Sequence, residues 1–136
     1  MITSINEFKI NENNNNINKI NIFFNSLFEF RQIAHNLHLT KSNYAEHMAL
    51  GDFYEKLLLL IDQLIETYQG QFGQLENFTT NMTLDTKEHN IITIFESMTL
   101  FIKDEGKLVL TESHLLNILD EIIALSYQTL YKLKFL

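Results

Sequence analysis

Four side chains in this sequence have the types and spacing of a metal-binding set. They are two histidines and two carboxylates, His35, His47, Asp62 and Glu66. Asp62 and Glu66 are four residues apart in a strongly helical stretch, so both lie on one face of a helix, one turn apart. Imidazole nitrogens and carboxylate oxygens both bind metal ions. The pattern therefore predicts a metal site that uses only nitrogen and oxygen ligands.

One chain cannot assemble this set by itself. His47 is predicted on the same helix as Asp62, fifteen residues before it, and at the helical rise per residue this separation is about 22 Å. Both kinds of ligand bind a metal ion at roughly 2.0–2.2 Å, so one ion cannot reach both ends. A second copy of the helix, packed antiparallel about a two-fold axis near Tyr54 and Glu55, would place His47 beside the partner's carboxylates. The spacing therefore predicts a site shared between subunits, present twice in each dimer.

Four segments carry apolar residues at helical spacing, and no internal repeat is found. The predicted helices cover about 17–39, 44–69, 85–106 and 111–136. Their boundaries come from capping boxes at Asn43–Glu46 and Asp85–Glu88 and from stops at Gly70 and Gly106. The longest connection joins the second and third helices. This pattern predicts an all-α four-helix bundle with one long crossover between helices 2 and 3.

The first sixteen residues differ in character from the rest. They are polar and include four consecutive asparagines at 13–16, a composition that disfavours helix. We therefore predict a flexible polar arm over 1–16, followed by one domain over 17–136.

The composition excludes several classes of protein. With no cysteine the chain has no disulfide and no thiolate metal site, which fits a cytoplasmic location. No apolar run approaches the ~20 residues that span a bilayer, and no secretory signal opens the chain. The net charge of −7 argues against a broad nucleic-acid surface, because binding to phosphates relies on Lys and Arg. The same charge is compatible with attracting cations.

The spacing of the four site residues, together with Tyr54 seven residues after the second histidine, resembles the Dps family of mini-ferritins. The segment 111–136 is similar to the last Dps helix, with Tyr131 where the family usually has Trp. The amino-acid sequence of residues 47–70 is similar to that of Dps-like ferritin-superfamily proteins encoded by bacteriophages. The resemblance covers residues 17–136 and is sharpest over 35–70.

This resemblance implies a ferritin-like bundle that assembles into a hollow dodecamer. It implies ferroxidase sites at the two-fold interface, where iron(II) is oxidised, preferably by hydrogen peroxide, before the ferric product is stored. His35 and His47 of one chain, with Asp62 and Glu66 of its partner, would then be both metal ligands and catalytic residues of a mononuclear or di-iron site. The expected partners are a second copy of the chain, iron(II) and peroxide, in the cytoplasm of a bacterium or of a phage host.

The sequence also departs from the family. Dps proteins usually carry Trp-Asn-Val and Gly-Pro between the two histidines, whereas this chain has Asn36-Leu37-His38 and Lys41-Ser42-Asn43 there. The polar arm offers only Lys9 as a basic residue, so DNA binding is not expected.

Several alternatives stay open from the sequence alone. His38 could be an auxiliary ligand, although a solvated or supporting histidine is favoured, and His89 and His114 are expected to be ordinary surface residues. Tyr54 and Tyr131 are expected to be core or interface aromatics. The alternative function is a structural or interaction protein that keeps the ferritin fold with an unused or degenerate metal site.

Overall fold

The structure, a computed structural model, describes residues 2–76, 78, 80, 81 and 90–136, with side chains from Lys19 onward. Four helices make up the secondary structure of these residues, and no strand is found among them. The helices are α1 (Ile2–Thr40), α2 (Tyr44–Phe72), α3 (Ile91–Val109) and α4 (Ser113–Phe135). Helix α1 packs against α2 and α3, and α4 packs against the same two helices. This arrangement confirms the predicted all-α four-helix bundle.

Contacts along α1 fix the direction of α3. Phe95, near the start of α3, lies 4.9 Å from Phe30 between ring centroids, whereas Gly106, near its end, approaches the ring of Phe23. Helix α3 is therefore antiparallel to α1 and parallel to α2. Two parallel helices need a connection that returns along the bundle, so the predicted long crossover between helices 2 and 3 is confirmed. This is the connectivity of ferritin-like bundles.

The described part of the crossover packs on α1. The ring of Phe78 lies 6.0 Å from that of Phe28. Asn81 donates its backbone N–H to Oδ1 of Asn25 (2.7 Å), and Nδ2 of Asn25 donates to the carbonyl of Asn81 (3.0 Å). These contacts attach the connection to the outer side of the first helix.

The core is centred on phenylalanine rings from three helices. Phe30 of α1, Phe53 of α2 and Phe95 of α3 lie 4.8–4.9 Å apart pairwise, and all three are fully buried. Aromatic side chains bury large apolar areas and pair favourably in tilted and edge-to-face geometries. Phe23, Phe24 and Phe30 of α1 thus lie in the core, as the apolar spacing of this helix predicts.

Two predicted helix stops were wrong. Helix α2 continues through Gly70 and is capped by Gly73, which has φ 96° and donates its N–H to the carbonyl of Gln69 (2.9 Å). Positive φ is accessible to glycine at little cost, so the backbone conformation selects Gly73 as the cap. Gly106 lies buried inside α3, which ends at Val109.

The helix starts agree with the sequence in part. Oδ1 of Asn43 accepts from the N–H of Glu46 (3.2 Å), so the predicted cap of α2 is confirmed. Helix α3 starts after Asn90, whose side chain caps Thr93, while the predicted box at 85–88 lies outside the described residues. Helix α4 begins at Ser113, two residues after the predicted start.

Helix α1 begins at Ile2 rather than at the predicted Ile17. The segment predicted as an irregular arm therefore has a helical backbone, although its asparagines are poor helix formers. Once the packed part of a helix is formed, each added residue gains one backbone hydrogen bond, and propagation costs less than nucleation. The flexibility of residues 1–16 stays a prediction.

Candidate metal site

Three histidines and a tyrosine lie together where α1 ends and α2 begins. His35 stacks on Tyr54, with ring centroids 4.1 Å apart and planes inclined by 17°. His38 stacks on His47 at 3.7 Å and 19°, and it meets Tyr54 edge-on at 5.3 Å. The antiparallel hairpin of α1 and α2 produces this cluster because it places the last turns of one helix beside the first turns of the other. The two histidines of the predicted metal set therefore belong to one aromatic cluster.

His38 and His47 hold each other by reciprocal hydrogen bonds. Nδ1 of His38 donates to the backbone carbonyl of His47 (2.6 Å), and Nδ1 of His47 donates to the backbone carbonyl of His38 (2.8 Å). A carbonyl oxygen can only accept a hydrogen bond, so each Nδ1 carries the proton. In the neutral ring the lone pair is then on Nε2. Nε2 of neither ring makes a hydrogen bond within the described residues.

This tautomer is the one that suits a metal ligand. Metal-binding histidines commonly donate their second ring N–H to a backbone carbonyl or a carboxylate, which fixes the ring and raises its basicity. His47 makes a hydrogen bond of this kind, and its ring is half-buried. The arrangement therefore fixes the orientation of one imidazole nitrogen at the start of α2.

Gly51 gives His38 the space that it occupies. A β-carbon added at Gly51 would lie 3.0 Å from Cε1 and 3.2 Å from Nδ1 of His38, tighter than ordinary van der Waals contact. A residue with a side chain at this position would push the imidazole away from the backbone of α2. Arg31 completes the cluster on the side of α1, with its guanidinium carbon 5.5 Å from the centroid of Tyr54.

The two predicted carboxylate ligands lie apart from the histidines of the same chain. Asp62 and Glu66 are exposed on the outer side of α2. Asp62 lies fifteen positions after His47, which corresponds to about 22 Å along a helix. No group of three or more His, Asp or Glu side chains in the described residues could hold a metal ion within one chain. The four-residue site shared between two copies therefore stays a prediction.

His38 has a larger structural role than the sequence indicates. It is half-buried, and its ring contacts His47, Tyr54 and the backbone at Gly51. Two signals in the sequence point to it: it lies one turn after His35, and Gly51 lies one turn after His47. Neither signal predicts the stack, because the stack depends on the register between the two helices.

The remaining histidines lie elsewhere. His114 is exposed and pairs with Gln71, with Nε2 and Oε1 2.6 Å apart, and His89 lies outside the described residues. Tyr131 is exposed on α4 and contacts Phe135 at 5.5 Å. None of the described helices is long and apolar enough to cross a membrane.

The chain was compared with known families and proteins. The model of a family described as "Family of unknown function (DUF5856)" matches residues 38–133, a region that includes His38, His47 and both carboxylates. No curated protein and no solved structure matches the chain.

Proposed function

The chain belongs to DUF5856, a family of unknown function, so we propose its activity from its own side chains. The protein binds iron(II) at sites shared between two copies, oxidises it there and stores the ferric product, as a mini-ferritin of the Dps type does. The observation that carries the proposal is the orientation of His47. Its Nδ1 is committed to a backbone carbonyl, so Nε2 is left as a lone-pair donor.

The carboxylates support the same proposal. Asp62 and Glu66 are exposed and make no ion pair within the described residues, whereas Asp52 and Glu96 pair with Lys132 and Lys134. Two uncompensated carboxylates one turn apart form a site of negative charge that favours a cation. Carboxylate oxygens suit the harder iron(III) product, and imidazole helps to hold iron(II).

In the proposed reaction, iron is the substrate. Each iron(II) ion gives up one electron, and two such electrons with two protons reduce one hydrogen peroxide molecule to two water molecules. His35 and His47 anchor the ion from one chain. From the partner, the residue corresponding to Asp62 acts as a terminal ligand and that corresponding to Glu66 as a bridging or mobile ligand. Two such sites follow in each two-fold dimer.

The experiment that tests a shared site is complementation between two inactive chains. His47→Ala removes the imidazole side of the site and Asp62→Ala removes the carboxylate side. In a mixed dimer of the two variants, one site loses both residues and the other keeps a complete set. If half of the dimers are mixed, oxidation by peroxide should recover to about a quarter of the wild-type rate.

Each variant alone should oxidise iron(II) slowly, and the co-expressed pair should be faster than either. Asp120→Ala, which removes an exposed carboxylate from α4, is the matched control and should behave as the wild type. Oxidation is followed by optical absorbance of ferric iron. If both single variants oxidised iron(II) at the wild-type rate, the ferroxidase proposal would be overturned. If both were slow and the co-expressed pair were no faster than either alone, the sharing of the site between two chains would be overturned.

A surface groove favours a second candidate function, that of an interaction protein. A groove of about 400 Å³ between α3 and α4 is lined by Leu100, Tyr127, Tyr131 and Phe135, among others. These four side chains are exposed to solvent, and clusters of exposed apolar side chains are typical of protein contacts. This candidate predicts that Tyr131→Ser changes the oligomeric mass and that the wild type oxidises iron(II) no faster than His47→Ala.

A further inference from the structure

We infer that His38 is a positioning residue that locks His47 in the tautomer with its lone pair on Nε2. The inference deepens the proposed function and rests on it for its biological purpose. The lock itself is a property of the chain without metal. The contacts between His38 and His47 join the end of α1 to the start of α2. They therefore also fix the position of the His47 side chain relative to these two helices.

The stacked geometry excludes His38 as a second ligand of the same ion. A metal ion bound to an imidazole nitrogen lies in the plane of that ring. The planes of His38 and His47 are inclined by only 19° with centroids 3.7 Å apart, so they do not meet within bonding distance of both Nε2 atoms. His38 therefore acts by positioning His47 and is not itself a ligand of that ion.

His38 can act in this way because its own ring is held on several sides. Its Nδ1 donates to the carbonyl of His47, one region of the ring lies against the backbone at Gly51, and its edge meets Tyr54 at 5.3 Å. A ring held by these contacts covers one face of His47. The imidazole of His47 then cannot turn away from the carbonyl of His38 without breaking the stack.

The test uses the full-length chain without metal. The chain is labelled with nitrogen-15 at its histidines and studied by NMR. The chemical shifts of the two ring nitrogens differ between the two neutral tautomers and take averaged values when the tautomers exchange. In the wild type we expect His47 with a protonated Nδ1 and an unprotonated Nε2. In His38→Ala, which keeps the backbone carbonyl but removes the stack, we expect the shifts of a tautomer mixture.

Two further variants separate positioning from a general loss of structure. His38→Phe keeps a ring that can cover His47 but has no donor, and it should partly restore the single tautomer. His38→Asn keeps an N–H donor near the position of Nδ1 without the ring and should resemble His38→Ala. His114→Ala, on the outer side of the bundle, is the control and should leave the shifts of His47 unchanged. Circular dichroism identifies the variants that keep their helices.

A second readout uses cobalt(II) as a probe, measured by its visible absorption. Affinity in His38→Ala should fall by about 10- to 100-fold, which is typical for loss of a group that orients a metal ligand. His38→Phe, which keeps a ring over His47, should recover part of it.

The outcomes distinguish this inference from the proposed function. An unchanged tautomer of His47 in His38→Ala overturns the inference, whatever the cobalt affinity is. A wild-type His47 with the proton on Nε2 overturns it as well. A tautomer that is locked in the wild type and released in His38→Ala supports the lock even if the wild type binds no cobalt, and that last result overturns the proposed metal site alone.

Discussion

Thr99 and Thr129 are two buried threonines that differ in one hydrogen bond. Oγ1 of Thr129 donates to the carbonyl of Leu125 (2.9 Å). Oγ1 of Thr99, in a residue only 1% exposed, has no hydrogen-bond partner among the residues that the structure describes. A buried hydroxyl without a partner keeps its full desolvation cost. Valine has nearly the same shape and no hydroxyl, so it removes that cost at Thr99 and removes a useful bond at Thr129.

We therefore predict that the free energy of unfolding of the Thr99→Val variant is higher than that of the Thr129→Val variant by about 1 kcal/mol. Urea denaturation followed by circular dichroism measures both variants against the wild type. Equal effects of the two substitutions would mean that Thr99 is hydrogen-bonded in solution.

Single residues also limit what the sequence predicts of the site. The spacing of His35 and His47 correctly places both at the junction of the first two helices. It does not predict that His38 stacks on His47, because that contact needs the register between α1 and α2 and the open space at Gly51. The proposed pairing of these histidines with Asp62 and Glu66 of a second copy depends on an interface between two chains.

At the scale of helices, Gly106 sets how closely α3 and α4 approach. A β-carbon at this position would lie 2.7 and 2.9 Å from the δ-carbons of Leu119 and 3.0 Å from Cζ of Phe23. Gly70, by contrast, is an exposed position inside α2 with nothing within 4 Å of an added β-carbon. The same substitution should therefore have opposite effects at the two sites.

Gly70→Ala should raise the free energy of unfolding by about 0.5–1 kcal/mol, because alanine restricts the unfolded chain and favours helix. Gly106→Ala gains the same preference but meets an overpacking cost of about 1–3 kcal/mol, so we expect a net loss. Chemical denaturation gives both values. A stabilised Gly106→Ala variant would show that α3 and α4 can separate without cost.

The helices themselves are well predicted from the sequence, and their ends are less so. Apolar periodicity identifies all four helices and their order, because a buried stripe must recur at 3.6 residues whatever the fold. The stops at Gly70 and Gly106 were wrong for a local reason. A glycine cap of this kind needs positive φ, and the backbone takes positive φ at Gly73, three positions after Gly70.

For the whole molecule, the outer face of α2 combines negative charge with an exposed leucine. Glu55, Asp62 and Glu66 are exposed along this face together with Leu59, in a chain of net charge −7. Two copies paired through α2 would bring like charges together, which opposes association unless cations bind between them. A ligand that binds only the pair also stabilises it by mass action. Metal binding and dimer formation are thus coupled in the proposed assembly.

Leu59 provides the test of that pairing. Its side chain is 70% exposed in one chain and lies close to the predicted two-fold axis, so a dimer through α2 would bury it, at about 1.5–3 kcal/mol per side chain. Leu59→Glu removes this gain and adds another negative charge to each face. We expect the variant to be monomeric in light scattering after size exclusion, at a concentration where the wild type is assembled.

Leu108→Glu is the matched control, since Leu108 is 74% exposed near the end of α3 and lies outside the proposed contact. It adds the same charge to the chain, so a general effect of net charge would appear in both variants. Loss of assembly only in Leu59→Glu, together with loss of peroxide-driven iron oxidation, is the expected result, because each site needs ligands from two chains. A monomeric Leu59→Glu that oxidises iron at the wild-type rate would contradict a site shared through α2, and a monomeric wild type would contradict the pairing itself.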